Sequence, residues 1–107
     1  MKLNKEETIL QKQVMCDLSL HGYNPLRMNV GLYYTKNLIP IHIGIVGTPD
    51  LLVLKNDGKC FWIEMKTQKG VLSSDQINFH NFLKGIGHHV YIVKNIKELE
   101  NVYEKEK

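Results

Sequence analysis

The residues predict the α/β class, because helical and strand signals alternate along the 107-residue chain. Three observations carry that expectation. Leu3, Leu10, Val14 and Leu18 form an apolar stripe at helical spacing. Asp50-Leu51-Leu52-Val53-Leu54 and Lys59-Cys60-Phe61-Trp62-Ile63-Glu64-Met65-Lys66 are β-rich runs on either side of Asn56-Asp57-Gly58, which reads as a hairpin. Beyond it, a helix start at Ser73 leads through two glycines to the strand-like run Val90-Tyr91-Ile92-Val93.

The length suits a single domain over residues 1–107. A net charge of +3, with acids and bases interspersed, permits nucleic-acid binding without arguing for it. Cys16 and Cys60 are far apart and show no Cys-x-x-Cys spacing, so reduced thiols in an intracellular protein are the simpler expectation. The charged N-terminus has no apolar signal core and no run approaches membrane-spanning length. A soluble cytoplasmic protein without a membrane partner is expected.

The first helix is expected over residues 4 to 20. Glu7 falls in the centre of its apolar stripe, while Glu6 is turned about 100° away. A carboxylate pointing inward calls for a cation or a hydrogen-bonded network; a frayed first turn would instead leave Glu7 in water, favourable to the helix dipole. His21-Gly22-Tyr23-Asn24-Pro25 stops the helix. Leu26 to Thr35 reads as β-like, Lys36-Asn37 as a turn, and Ile39 to Val46 as an apolar, partly alternating segment. The glycines of Gly44-Ile45-Val46-Gly47 suit a tight connecting loop first, and close approach by a ligand second.

Hairpin chemistry sets a register. With Gly58 in the left-handed position of a three-residue loop, Lys55 pairs with Lys59, and Asp50 then stands opposite Glu64 with β-carbons about 5 Å apart. Facing carboxylates are destabilising, and a hard divalent cation would explain them. Lys66 shares that face and can orient or deprotonate a water beside such a cation, whereas Phe61, Ile63 and Met65 point the other way. An isolated Glu-x-Lys reads as an ordinary solvated pair; the Pro49-Asp50 half at matching register is what argues for chemistry.

In the following loop, Lys69 can meet a phosphate or simply be solvated. Ser73 and Gln76 have capping-box spacing, so a helix is expected to about Lys84 with Phe79, Phe82, Leu83 and Ile86 as its buried face. Gln76 can serve as the third residue of that box and also sit at the rim of a site near Lys66. Asn95 and Glu98 begin a last helix through about Tyr103, buried through Ile96, Leu99 and Tyr103, and the terminal Glu-Lys-Glu-Lys is expected to fray. The five histidines, His21, His42, His80, His88 and His89, lack the spacing of a zinc site. Nucleophile-elbow, phosphate-loop and dinucleotide motifs are absent from the sequence.

In this order, Glu7 with Leu10-Gln11, Gly47-Thr48-Pro49-Asp50, Ile63-Glu64-Met65-Lys66-Thr67, Lys69 to Gln76 and the glycine-ended helix before Val90-Tyr91-Ile92-Val93 resemble a stand-alone virus-type replication-repair nuclease. That group, VRR-NUC, belongs to the PD-(D/E)xK nuclease superfamily. The resemblance implies an α/β fold with a restriction-endonuclease-like core, a mixed central β-sheet flanked by α-helices. It implies Mg2+ or Mn2+ held by Glu7, Asp50, Glu64 and the backbone carbonyl of Met65. Lys66 would be the catalytic lysine and Gln76 an active-site glutamine, with Asp50 and Glu64 counted in the catalytic set and Lys69 and Ser73 near DNA.

The expectation is therefore a metal-dependent, structure-selective DNA endonuclease acting as a homodimer on branched DNA such as a four-way junction. Its setting would be inside a cell, including a virus-infected host. Two other classes stay open: a non-cleaving DNA-binding module of the same fold, and a nuclease subunit that needs a partner protein. Titration with magnesium or manganese separates the first, and cleavage by the isolated chain separates the second.

Overall fold

The computed structural model describes residues 5–107, and Leu3 of the expected helical stripe lies outside the described residues. Helix α1 (Lys5–Leu20) buries Leu10, Val14 and Leu18 as the periodicity requires. It ends at Gly22, whose φ of 86° is a left-handed conformation that glycine adopts without penalty.

Six strands follow, β1 (Asn24–Arg27), β2 (Gly31–Tyr34), β3 (Pro40–Ile43), β4 (Leu51–Leu54), β5 (Cys60–Met65) and β6 (Val90–Val93). They form a four-stranded sheet in the order β1-β4-β5-β6 and a separate pair β2-β3. The larger sheet is mixed: β1 and β5 flank β4 antiparallel, and β6 lies parallel to β5. The parallel pair needs a crossover, supplied by α2 (Ser74–Gly85). After β6, a single 3-10 turn (Ile96–Glu98), capped by the Asn95 side chain, passes into α3 (Leu99–Glu106).

The expected β-like run from Leu26 to Thr35 is divided between two sheets. Strand β1 begins earlier, at Asn24, and includes Pro25, which an edge strand tolerates because one side needs no backbone donor. The Met28 N–H closes the β1-β4 ladder on the Asp50 carbonyl, and the chain then leaves the sheet. Its continuation, β2, pairs with β3 and, among the described residues, with no other strand.

The core lies between the sheet and two helices. Leu10, Val14 and Leu18 of α1 and Leu99 and Val102 of α3 pack with Leu51, Val53, Phe61, Ile63, Met65 and Val93. Phe61, Ile63 and Met65 thus take the face expected of them. Trp62 and Glu64 alternate onto the opposite face, where α2 packs: His80 of that helix contacts Glu64.

Two expectations about the helices are corrected. The buried face of α2 is made by His80 and Leu83, with Phe79 half-buried, whereas Phe82 and Ile86 are exposed. The helix is rotated so that His80 reaches Glu64, a long-range contact that helical periodicity does not encode. The terminal Glu-Lys-Glu-Lys does not fray as a unit, since α3 runs to Glu106 and that side chain is buried. Its carboxylate accepts from Tyr91 Oη, faces His89 Nδ1 at 2.6 Å and pairs with Lys55 Nζ at 3.4 Å. Among the described residues, no helix is long and apolar enough to cross a membrane.

Candidate active site

The β4-β5 hairpin has the expected register. Lys55 N–H donates to the Lys59 carbonyl at 2.9 Å, and Gly58 has a φ of 86°. Leu51 pairs with Ile63 and Leu52 with Trp62; one step further along, Asp50 stands across from Glu64. Asp50 Oδ2 accepts the Met65 N–H at 2.8 Å, which anchors the carboxylate against the end of β5.

Gly47 explains how this strand end meets α2. Its φ is 97°, and a β-carbon there would stand 2.3 Å from the Asp75 carbonyl oxygen. The glycine therefore permits close approach by the backbone of α2's first turn, which accounts for it without a ligand. Here α2 is capped as its sequence requires: Gln76 N–H donates to Ser73 Oγ, and Ser73 N–H donates to Gln76 Oε1 at 2.9 Å. The oxygen of the Gln76 amide is thereby engaged, and its amino group is the end left to donate elsewhere.

Glu7, Asp50, Glu64, Met65, Lys66, Ser73 and Gln76 all line one cavity of about 780 Å³. Lys69 does not; it is exposed in the turn after β5. Glu6 is exposed and also outside the lining. Half-buried Glu7 lies between its two expected settings, on the cavity wall rather than inside the core. Arg27 adds a second cationic side chain to the wall.

The electrostatics centre on Glu64, which is 2% exposed. Burial pushes its carboxyl far above the ordinary range, a hydrogen bond and the negative charge of Asp50 push it further, and Lys66 opposes them. Glu7 contributes a smaller repulsion, which puts the third acid within electrostatic reach. Among the described residues, no three His, Cys, Asp or Glu side chains are gathered tightly enough to enclose a cation. The donor chemistry still fits Mg2+, which is held by one or two carboxylates and keeps several waters. Asp50, Glu64 and Glu7 are the side chains that would hold such an ion.

A family model for the VRR-NUC domain matches residues 6–95. The chain belongs to the VRR-NUC family. A solved structure described as a VRR-NUC domain superposes with a TM-score of 0.70, covering 92% of this chain and 95% of that chain at 21% identity; the likeness is one of fold. A comparison with curated proteins gives no match. The matched span of this VRR-NUC domain takes in every cavity residue named above and stops before α3.

Two further polar residues meet this cavity, His80 through Glu64 and Gln11 in its lining, and the sequence reading gave neither a role there. His80, 3% exposed, places Nε2 3.1 Å from Glu64 Oε1. Burial pushes its imidazole below the usual histidine range, and Lys84 adds to that, so the contact is a neutral hydrogen bond rather than an ion pair. It steadies the buried carboxyl in one orientation. The sequence signal for His80 is its spacing of three residues from Leu83, which puts both on the same helix face. Gln11 is buried, one turn after Glu7, and lines the same cavity. The i, i+4 spacing from Glu7 was the available signal.

Proposed function

We propose that this VRR-NUC domain is a metal-dependent, structure-selective DNA endonuclease that acts as a homodimer, with four-way junctions as its preferred substrate. One observation carries the reading: two acids from opposed strands, a third from α1, a lysine and a glutamine converge on one cavity.

Mg2+ or Mn2+, bound through Asp50, Glu64 and the Met65 carbonyl, would supply Lewis acidity and lower the pKa of a coordinated water. The protein's own groups do the rest. Lys66 faces the same space as a fixed positive charge, holding a non-bridging phosphate oxygen and offsetting the charge that builds on phosphorus during attack. The free amino group of Gln76 donates to a second phosphate oxygen, its carbonyl pinned by Ser73. His80 holds Glu64, and Met65 N–H holds Asp50, so neither carboxylate must be ordered when DNA arrives. Hydrolysis would leave 5′-phosphate and 3′-hydroxyl ends, by analogy with the superfamily.

A dimer suits the substrate. Specific protein–DNA interfaces bury about 1,000–2,500 Å² of protein, a large share of so short a chain's surface, and a junction offers two equivalent strands to a twofold pair. The test is cleavage of four-way, flapped and linear DNA with and without Mg2+, by wild type and Lys66→Ala. Loss of at least 100-fold in the variant, with metal binding kept, is expected; equal rates in the two would remove Lys66 from its role.

A further inference from the structure

The pair β2-β3 is an anomaly in the fold. Among the described residues its strands pair only with each other, and an isolated two-stranded hairpin is marginal in water. Cross-strand pairs put Leu32 beside His42 and Tyr33 beside Ile41, so apolar side chains occupy both faces. Nine large apolar residues between Leu32 and Val46 are at least 44% exposed, and Leu38 at the turn is 79% exposed. Monomeric proteins rarely leave so continuous an apolar surface open to water.

Resting on the homodimer reading above, we infer that this hairpin is the dimer interface, covered by the same hairpin of a second copy of the chain. Area is the first reason. Five of the nine, Tyr34, Leu38, Ile39, Ile41 and Ile45, lie outside the cavity lining and offer on the order of 500 Å², the larger share of the ~800 Å² that each partner of a stable complex contributes. Charge is the second. Lys36 is the only Lys, Arg, Asp or Glu from Gly31 to Val46, whereas a ribbon built to grip DNA would carry several cations against the phosphates. A self-complementary apolar patch fits a twofold, isologous contact. Position is the third: Leu32, Tyr33 and Ile43 also line the cavity that holds Asp50 and Glu64. Pairing two hairpins thus gives each cavity a rigid wall and fixes the separation of the two sites.

The experiment is sedimentation equilibrium of the full chain at micromolar concentration, comparing wild type with Tyr34→Lys/Ile41→Lys, two exposed positions outside the cavity lining. Leu38→Lys/Ile39→Lys serves as a second variant on the same surface, and Phe82→Lys as a control on the exposed side of α2. Far-UV circular dichroism and the heat of Mg2+ binding report the fold and site of each variant. The expected result is a wild-type dimer that dissociates at least tenfold more readily in both hairpin variants, with metal binding retained and the control unchanged. A wild-type dimer that survives both hairpin substitutions overturns the assignment of this surface and leaves the dimeric nuclease standing. An equal effect of the α2 control overturns it as well. A wild-type monomer overturns the inference together with the dimer, and if the variants then lose DNA affinity the hairpin meets DNA instead.

Discussion

Replacing Glu64 by glutamine should stabilise the metal-free protein, and more so as the pH rises. Glu64 is 2% exposed, and burial, with Asp50 adding to it, raises its carboxyl well above the ordinary value of 4.5. The folded protein keeps a proton that the unfolded chain releases above that value. Stability from this group is therefore complete below pH 4.5 and is lost as the pH climbs toward the folded pKa, at about 1.4 kcal/mol per pH unit. From about pH 6 to about pH 8, the wild type should lose about 3 kcal/mol through this carboxyl alone. The amide of Glu64→Gln mimics the protonated acid, donating to Asp50 and accepting from His80, and has nothing to ionise. Urea unfolding of both proteins with EDTA, over a series of pH values, measures the difference, and titrations common to both cancel. A stability gap that widens with pH is expected. Parallel profiles would show that Glu64 is ionised in the folded state at neutral pH and would refute the account of the buried pair.

Two glycines with similar backbones should behave differently. Gly58→Ala meets nothing within 4 Å and should lose only about 1 kcal/mol for its positive φ, with cleavage unchanged; Gly47→Ala, driven into the Asp75 carbonyl, should displace Asp50 from α2 and reduce cleavage at least tenfold in an assay of four-way DNA. Glu106→Ala removes the acceptor shared by Tyr91, His89 and Lys55 and should lower stability by about 3 kcal/mol in thermal melts at neutral pH. Burial alone would raise the Glu106 carboxyl, but hydrogen bonds from Tyr91, His89 and Lys55 bring it below its ordinary value of 4.5. Its contribution is therefore present above pH 4.5 and disappears as the pH falls through the folded value, so the gap between wild type and Glu106→Ala should close in acid.

Local chemistry carried much of the site into the sequence. Gly58 and the three-residue loop specify the Asp50–Glu64 register because turn geometry propagates along an antiparallel ladder. Ser73 and Gln76 mark the start of α2 because each satisfies an orphan backbone donor of the other. Asp50, Glu64 and Lys66 follow from that register, whereas Glu7 and Gln76 join them as site residues through the VRR-NUC resemblance, and all five line one cavity. The buried face of α2 could not be read in this way. Phe82 and Ile86 are as apolar as Leu83, and only the contact with Glu64 turns His80 inward in their place.

What the sequence alone determined is what depends on near neighbours: α1 and its stripe, the hairpin and its register, the caps, and the facing of Asp50 and Glu64. The tertiary structure decided everything that needs a partner far along the chain. It sent Leu26 to Thr35 into two sheets, buried Glu106 beneath Tyr91 and His89, and left the β2-β3 hairpin outside the core. The physical reason is common to all three. An apolar or charged side chain records in sequence that it requires a partner, but which partner meets it is chosen by packing, where competing contacts many residues apart are settled together.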